Sequence, residues 1–512
     1  LVRVITGIAE NADQRLRDLR VDEAVDGSDG ILVLDEWRQP VGVGVVGDIY
    51  QTAQDSEPTP SGQRGRWLVT GQLERIEAVE LRAAGTRSAV VEPARTDTER
   101  ALIVLLADVL DAEAEIGRND DYFSLGGDSI SAMRLVAAVR EDLGIELSVS
   151  AVFEAPTVAG LAQWMTIHTG SRPSFAEVHG VAPSEVYASD LTLEKFIDGA
   201  TLLGAPSLSG PSGGVSTVLL TGATGFLGRF LVLEWLERLA PVGGTLICLV
   251  RGDSDAQAWT RLERTFDTGD GALLVRFRAL AGEDRLRVIA GDKGLTDLGL
   301  APESWNSLAE SVDLIVDSAA FVNSVLPYSD LFGPNVVGTA ELIRLAITTK
   351  LKAFTYVSTS DIGRQVEPGL FTEDADIREI SATRVVDGSY ANGYGNSKWA
   401  GEVLLREAHD LCGLPVSVFR SGMILTDPRF AGQLNLTDTV TRMIYSVMLT
   451  GVAPGSFYRL GANGKRQRAH FDGLPVDFVA DAITTLGANV KDGFVTYHVM
   501  NPHDDGIGID EY

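Results

Sequence analysis

The chain has few of the residues that several protein classes require. Among its 512 residues there are two cysteines, Cys248 and Cys412. The chain has 43 lysines and arginines but 71 aspartates and glutamates. The lack of a cysteine framework disfavours a secreted protein, and a reducing cytoplasm is the expected location. The formal net charge of −28 at pH 7 disfavours nucleic acid and anionic membranes as partners, because both require a basic surface.

Long apolar runs and a secretion signal are also missing. No stretch has the length and apolar character needed to cross a bilayer, and none has the organisation of a signal peptide. Lysine does not occur before Lys195, so arginine is the only fixed cation in the first third. His470, His498 and His503 lack a metal-ligand spacing, so we interpret them as surface or core residues and expect no metal.

Composition divides the chain into four zones. Residues 1–92 are mixed and rich in glycine and valine, whereas residues 93–168 have apolar positions three or four apart, which predicts a small all-α bundle. Residues 169–214 include the string GAPSLSGPSGG and are expected to be a linker and lead-in. From 215 to 512, short β-branched runs alternate with helical segments, which predicts an α/β, doubly wound parallel sheet. We expect a fragment of a longer protein whose C-terminal lobe is incomplete.

The segment TGATGFLG follows a strand-like run and opens an amphipathic helix. Its glycines allow the backbone to approach a pyrophosphate, and a helix N-terminus attracts that anion. About twenty residues later, where an NAD site has an acid, the run CLVRG ends in an arginine that can bind the 2′-phosphate of NADP. A solvated arginine at a strand end is the alternative. The cofactor-binding residues predicted here are Gly222, Thr224, Gly225, Phe226, Leu227, Gly228 and Arg251, with Arg261 and Arg264 as helpers.

The segment SYANGYGNSKWAGE places Tyr394 and Lys398 four residues apart, on one face of a helix. A phenol has a pKa of about 10, and a neighbouring ammonium lowers it. Such a pair can donate a proton to an oxygen that gains negative charge. Upstream, YVSTSDIG closes a predicted strand with the hydroxyls of Ser358, Thr359 and Ser360. A tyrosine and a lysine four residues apart are common. The acid–base hypothesis therefore depends on where this pair occurs in the chain, after the glycine turn, the arginine and the hydroxyl cluster.

The stretch DYFSLGGDSISAMRL places Ser129 just after two glycines and before a helical pattern. A hydroxyl at such a flexible turn is reachable and suits covalent attachment of a group. A plain helix start is the alternative, because Asp and Ser both cap helix N-termini.

From about Ser216 to Asp510 the chain resembles the extended short-chain dehydrogenase/reductases. More narrowly, it is similar to the thioester reductase domains that end some nonribosomal peptide synthetases and carboxylic acid reductases. The motifs that carry the resemblance are TGATGFLG, LVRG, AGD, DSAAFVN, NVVGT and the Thr–Tyr–Lys set. The resemblance implies that Tyr394 donates a proton, that Lys398 binds the nicotinamide ribose, and that Thr359 hydrogen-bonds the carbonyl oxygen. It also implies that the cofactor is lined by Asp292, Ser318, Ala319 and Asn335.

Two further resemblances cover the first third. LGGDS, with a helical segment on either side, resembles a peptidyl carrier domain, which implies a 4′-phosphopantetheine that a phosphopantetheinyl transferase attaches to Ser129. Residues 1–92 resemble the tail of an adenylation domain in ILVLDEWRQPVGVGVVGDIY and LERIEAVEL. The catalytic lysine of that lobe cannot be present, because no lysine precedes Lys195. We therefore interpret this segment as a degenerate, inactive remnant.

Together, the resemblances imply NADPH-dependent release of a carrier-bound acyl or peptidyl thioester as an aldehyde, with upstream synthetase modules in the same polypeptide. Further reduction to a primary alcohol and the identity of the acyl chain stay open. One alternative is a redox-inactive, chain-releasing cyclase of the same fold, which typically lacks the catalytic tyrosine. Another is an extended reductase or epimerase that acts on a free nucleotide-linked substrate, and a third is a non-catalytic docking unit.

Overall fold

The structure of the chain is a computed structural model. It describes residues 30–34, 47–52, 59–67, 73–76, 92–110, 116–127, 129–143, 147, 151–152, 155–168, 172–211, 213–267, 271–282, 285–430, 439–458, 460–461, 464–466, 468–470, 473–501, 508 and 510. The chain forms two compact units, one ending at Ile167 and the other beginning at His168.

The first unit contains an antiparallel sheet and a helical bundle. The sheet strands, hydrogen-bonded in chain order, are β1 (Gly30–Leu34), β2 (Gly47–Thr52), β3 (Thr59–Trp67) and β4 (Leu73–Ile76). The helices are α1 (Asp97–Val109), α2 (Ser129–Leu143) and α3 (Val158–His168). Apolar side chains on one face of each helix, including Leu106, Val139 and Leu161, share one core. The predicted all-α bundle is therefore present, whereas the origin of the sheet as an adenylation remnant stays a prediction.

The second unit alternates strands and helices. Its strands are β5 (Glu185–Tyr187), β6 (Thr217–Thr221), β7 (Thr245–Val250), β8 (Leu286–Ala290), β9 (Leu314–Asp317), β10 (Ala353–Thr359), β11 (Thr383–Val385), β12 (Val416–Ser421), β13 (Met423–Leu425), β14 (Gly473–Pro475) and β15 (Phe494–Val499). Its α-helices are α4 (Phe175–His179), α5 (Gly199–Gly204), α6 (Phe226–Leu239), α7 (Asp255–Arg264), α8 (Ala272–Leu280), α9 (Pro302–Ser311), α10 (Tyr328–Leu331), α11 (Gly338–Ala346), α12 (Ile377–Ile380), α13 (Asn392–Cys412), α14 (Thr439–Thr450) and α15 (Val476–Gly487). A π-helix, Phe332–Val337, joins α10 to α11.

Seven of these strands form one parallel sheet in the order β15-β12-β10-β9-β6-β7-β8. Runs such as TLICLV in β7 are almost entirely buried, as expected for parallel strands covered by helices on both faces. The chain builds the sheet outward from β6 to β8 and then, in the opposite direction, from β9 to β15. Doubly wound sheets bind ligands at the carboxyl ends of their strands, where this direction reverses. The predicted fold class is confirmed.

Residues 172–211, expected to be a linker and lead-in, are packed into the second unit. β5 pairs with β11 in an antiparallel ladder, and the buried Phe175 lies edge-on to Tyr328, with 5.3 Å between ring centroids. Arg172 donates a hydrogen bond to the carbonyl oxygen of Gly294. This part of the segment is therefore a folded layer and not a tether, because its apolar side chains enter the core of the unit.

Helix α13 carries the predicted acid–base pair and packs closely on the sheet. Val403, Leu404 and Leu405 are fully buried, and the indole of Trp399 donates to the carbonyl oxygen of Ser381 at 3.0 Å. The helix ends at a left-handed C-cap, the usual role of glycine after a helix. The first turns of α13 are thus held in a fixed position relative to the strands.

The part of the chain that the structure describes contains neither a candidate membrane span nor a candidate metal site. No helix there combines the length and the apolar character of a membrane span. Nor does any group of three or more His, Cys, Asp and Glu side chains there form a possible metal site.

Leu404→Ala tests how α13 packs on the sheet. Leu404 is fully buried, so its truncation leaves a cavity, and the free energy of unfolding should fall by about 2–5 kcal/mol. Urea unfolding of the second unit measures this change. Leu411→Ala is the control on the same helix: Leu411 is 36% exposed, and the loss should stay within about 0.5 kcal/mol. Equal losses would contradict the packing described.

Candidate active site

The glycine turn lies where the direction of the sheet reverses, between the end of β6 and the start of α6. Gly222 has a left-handed φ of +75°, and a Cβ there would lie 2.7 Å from the Ala319 nitrogen. A Cβ on Gly228 would lie 1.8 Å from the Gly222 carbonyl oxygen, so both positions require glycine. The Gly225 N–H donates to that oxygen at 2.9 Å. The turn leaves an open cradle at the N-terminus of α6, which fits a pyrophosphate.

A buried carboxylate ties the elements around this turn together. Asp317 ends β9, is fully buried, and accepts hydrogen bonds from Lys293 with both of its oxygens, each at 2.8 Å. The hydroxyls of Thr221 and Thr339 also donate to it, each at 2.8 Å. Burial by itself raises the pKa of Asp317, but the charges of Lys293 and Lys398 outweigh it, and the resulting pKa is lowered. Asp317 is therefore ionised and bridges β6, β9 and α11.

The predicted cofactor-lining residues after β9 are bonded to the end of β6. Ser318 donates to the carbonyl oxygen of Thr221 at 2.7 Å, and the Ala319 N–H donates to its hydroxyl at 3.2 Å. Asn335 is buried in the π-helix, and its amide donates to the hydroxyl of Ser397 at 2.9 Å. π-Helical turns are frequent at functional sites. Here the hydrogen bond connects the π-helix to α13 at the residue before Lys398, the predicted catalytic lysine.

The remaining predicted cofactor residues lie at the same edge of the sheet. Arg251 directly follows β7 and is exposed, and Arg261, on α7, has a guanidinium nitrogen 3.5 Å from the Arg251 carbonyl oxygen. Asp292 lies two residues beyond β8 and accepts from the Gly294 N–H at 2.7 Å. Thr224, in the glycine turn, and Phe226 and Leu227, in the first turn of α6, are half-buried.

Tyr394 and Lys398 lie one turn apart near the start of α13, as predicted. Lys398 is 2% exposed, and its Nζ lies 3.9 Å from the ring centroid of Tyr356. Thr359 ends β10, and its hydroxyl accepts from the Asp361 N–H at 3.2 Å. Because β10 adjoins β9, Thr359 ends its strand at the same edge of the sheet as the glycine turn.

The pKa values in this site differ from the expectation based on spacing. Burial raises the pKa of the Tyr394 phenol, and the carboxylate of Asp361 raises it further. Burial lowers the pKa of Lys398 to about 7, with Asp317 opposing and Lys293 adding to this shift. The lowered pKa expected for Tyr394 is therefore wrong in this structure, because burial and the Asp361 carboxylate both raise the pKa of this phenol. Tyr394 keeps its proton at neutral pH, which is the state that a proton donor needs.

Sequence analysis missed two buried ion pairs that surround these residues. One is Lys293–Asp317, and the other is Glu402–Arg420, in which both side chains are 1% exposed and the charged atoms are 2.8 Å apart. Ser358 donates to Glu402 at 2.5 Å, so this pair joins β10, β12 and α13. The sequence did contain a signal for these pairs, namely a charged residue within or at the end of an apolar run. Asp317 ends VDLIVD in this way, and Arg420 lies within VSVFRS.

In the first unit, Ser129 is the first residue of α2, directly after the two-glycine turn; Asp128 lies outside the described residues. Gly126 has a left-handed φ of +96°, whereas a Cβ on Gly127 would lie 2.3 Å from the ring of Tyr122. One glycine is therefore needed for backbone conformation and the other for close packing. Ser129 thus begins a helix, and a helix N-terminus attracts an anion.

The fold and the site define a class: an α/β protein whose doubly wound sheet has a glycine turn that fits a dinucleotide, with a helical bundle before it in the chain. The family model described as male sterility protein, an NAD-binding family, matches residues 220–483. The model described as phosphopantetheine attachment site matches residues 100–165. The chain therefore belongs to the NAD-binding male sterility protein family and carries a phosphopantetheine attachment site in front of that domain.

Individual relatives agree with this assignment. The isonitrile lipopeptide synthase of Mycobacterium tuberculosis is 61% identical over 420 residues, which are 81% of this chain and 17% of that protein. The carboxylic acid reductase of Mycobacterium marinum is 57% identical over 452 residues, 87% of this chain and 38% of that protein. The chain thus spans less than two fifths of these curated relatives. A crystal structure of the reductase (R) domain of a nonribosomal peptide synthetase from M. tuberculosis has 65% identity and a TM-score of 0.60, covering 64% of this chain and 77% of that chain.

Gly228→Ala tests the pyrophosphate cradle. The added Cβ would lie 1.8 Å from the Gly222 carbonyl oxygen, so the turn must open, and the dissociation constant for NADPH should rise at least about tenfold. A fluorescence titration measures it. Gly199→Ala is the control, because a Cβ at the start of α5 would contact none of the described residues. Unchanged NADPH affinity in Gly228→Ala would contradict the proposed cradle.

Proposed function

We propose that the chain reduces an acyl or peptidyl thioester, held on a phosphopantetheine arm at Ser129, to an aldehyde, and so releases the product from a nonribosomal peptide synthetase. One observation carries the proposal: the chain matches a phosphopantetheine attachment site and, after it, an NAD-binding domain. The names of the relatives, a lipopeptide synthase and a carboxylic acid reductase, support a carrier-bound acyl substrate.

The roles proposed for the residues follow from their positions. NADPH, when bound, supplies the hydride. The turn from Gly222 to Gly228 would hold its pyrophosphate, and Lys398 would bind the ribose beside the nicotinamide. Thr359 and the protonated Tyr394 would donate hydrogen bonds to the thioester oxygen, where negative charge develops during reduction. Fixed donors in a buried site stabilise such charge more than water does, and Tyr394 would then give its proton to the oxygen. The C–S bond of the resulting hemithioacetal would then break, and its hydroxyl proton would pass to the sulfur, which yields the aldehyde and the free thiol of the arm.

Because the substrate is tethered by the arm, a weak interaction between the two units would be enough for the reaction. A flexible arm replaces a bimolecular encounter by a local concentration on the order of millimolar. A weak and transient approach of the arm to the cleft is then sufficient for turnover. We propose residues 93–168 as the carrier domain and 215–512 as the reductase domain, with upstream synthetase modules and a phosphopantetheinyl transferase as partners.

The alternatives fit these observations less well. A redox-inactive cyclase of this fold would not need Tyr394, which is held at the predicted place on α13. A reductase or epimerase for a free nucleotide-linked substrate would not need the attachment site at Ser129. A non-catalytic docking unit would not need the closely packed glycines Gly222 and Gly228 or the buried Lys293–Asp317 pair. The comparisons favour none of the three.

The direct test is to identify the released product. The chain is loaded with an acyl-phosphopantetheine by a phosphopantetheinyl transferase, NADPH is added, and mass spectrometry identifies what is released; an aldehyde or its alcohol is expected. Tyr394→Phe should slow release about 10²–10⁴-fold, because the proton donor is lost, with little change in NADPH affinity. Ser129→Ala should prevent loading.

Two controls match these variants. Tyr390→Phe removes a phenol one turn earlier that is 55% exposed, and Ser124→Ala removes a neighbouring hydroxyl of the carrier turn. Neither should alter loading or release. Release of a free acid or a cyclised ketone, or full activity of Tyr394→Phe, would overturn the proposal.

A preference for NADPH over NADH is part of the proposal and depends on Arg251. Its guanidinium can form paired, charged hydrogen bonds with the 2′-phosphate. Arg251→Ala should weaken NADPH binding about tenfold while leaving NADH binding unchanged, since only NADPH carries that phosphate. Arg287→Ala, an exposed arginine on β8, is the control. Equal weakening of both cofactors would show that Arg251 does not recognise the phosphate.

A further inference from the structure

The ammonium group of Lys398 lies on the face of a buried tyrosine, Tyr356, which begins the segment YVSTSDIG and has no role in the chemistry described above. The Nζ of Lys398 lies 3.9 Å from the ring centroid of Tyr356, and the two side chains are 2% and 0% exposed. A cation within about 6 Å of an aromatic centroid is attracted by the ring, and more strongly when both are removed from water. The contact therefore has the geometry and the environment of a strong cation–π pair.

The sheet and the helix together determine where this ring lies. Tyr356 is in β10 and is paired in register with Asp317 of β9, so it occupies the centre of the sheet, close to the Lys293–Asp317 pair. Gly401 follows Lys398 by about one helical turn, and a Cβ there would lie 2.2 Å from the Tyr356 hydroxyl. The missing side chain of Gly401 gives the ring room beneath α13. The same hydroxyl lies 3.5 Å from the Lys398 carbonyl oxygen.

The carboxylates that act on the charge of Lys398 already have other partners. They are Asp317 and Glu402. Asp317 accepts from Lys293 with both oxygens, and Glu402 is paired with Arg420 at 2.8 Å. A carboxylate bound directly to Lys398 would hold its ammonium by directed hydrogen bonds and compete with a ribose for them. A ring face attracts the ammonium electrostatically and offers no lone pair to accept a directed hydrogen bond from it.

We propose that Tyr356 is a positioning residue for the reduction: the face of its ring holds the Lys398 ammonium in the position from which it binds the cofactor ribose. The inference rests on the proposed function, which gives Lys398 that role. Tyr356 itself contacts no reacting atom and acts through Lys398. Its ring should matter for cofactor binding, whereas its hydroxyl should not.

A double-mutant cycle tests this proposal. Tyr356→Phe keeps the ring and Tyr356→Leu removes it, and Tyr356→Leu is also combined with Lys398→Met. The dissociation constant for NADPH is measured by fluorescence titration, and thermal unfolding checks that each variant is folded. Tyr356→Phe should stay within about twofold of the parent chain, whereas Tyr356→Leu should bind NADPH about tenfold more weakly. In the Lys398→Met background, Tyr356→Leu should cause no further loss.

The outcomes separate this inference from the proposed function. An equal loss from Tyr356→Leu in both backgrounds would mean that the ring has only a structural role, and would overturn the inference. If Lys398→Met weakens NADPH binding but Tyr356→Leu does not, the inference fails and the proposed role of Lys398 stands. If Lys398→Met leaves NADPH binding unchanged, both fail.

A variant with an altered ring face keeps the proposal testable if Tyr356→Leu does not fold. Tyr356→pentafluorophenylalanine has nearly the shape of Tyr356→Phe, but its ring face repels a cation because fluorine withdraws electron density. Weaker NADPH binding by the fluorinated variant than by Tyr356→Phe would support the inference. Equal affinity of the two variants would overturn it.

Discussion

The rest of the site depends on the hydrogen bonds and the ion pair that the buried carboxylate of Asp317 forms. It lies where the winding of the sheet reverses, and it is bonded to Lys293, Thr221 and Thr339. An ion pair in the interior repays its desolvation only when its hydrogen bonds are well formed, and here both carboxylate oxygens have donors. The cost of breaking it is correspondingly high. The hydrogen bond from Thr221 to Asp317 fixes the end of β6, and therefore the glycine turn, against the end of β9.

Burial also controls the chemistry of the site. It keeps the proton on Tyr394 and lowers the pKa of Lys398 to about 7. These two effects agree with the proposed roles of Tyr394 as a proton donor and of Lys398 as the residue that binds the cofactor ribose. Helix α13 can carry both groups because the Glu402–Arg420 pair holds it to β10 and β12. The reactive side chains therefore lie on a helix that the interior of the domain supports.

Much of this arrangement was predictable from the sequence, because it is local. The glycine turn, the arginine after β7 and the Tyr394–Lys398 spacing each lie within a few residues, and alternating elements predicted the sheet. The Lys293–Asp317 pair was not predictable in this way, since its members are 24 residues apart and meet only in the fold. The pKa of Tyr394 was expected in the wrong direction because burial is a property of the whole domain. Packing of residues 172–211 was missed for the same reason.

The central claim is that a nicotinamide ring binds at the carboxyl ends of β6 and β9, between Tyr394 and Thr359. A crystal structure of the chain with NADPH tests it most directly. The account predicts the pyrophosphate on the N-terminus of α6, the ribose hydroxyls within hydrogen-bond distance of Lys398, and the reactive face of the ring open beside the Tyr394 hydroxyl. A cofactor bound elsewhere on the sheet, or a ring turned away from Tyr394, would contradict it.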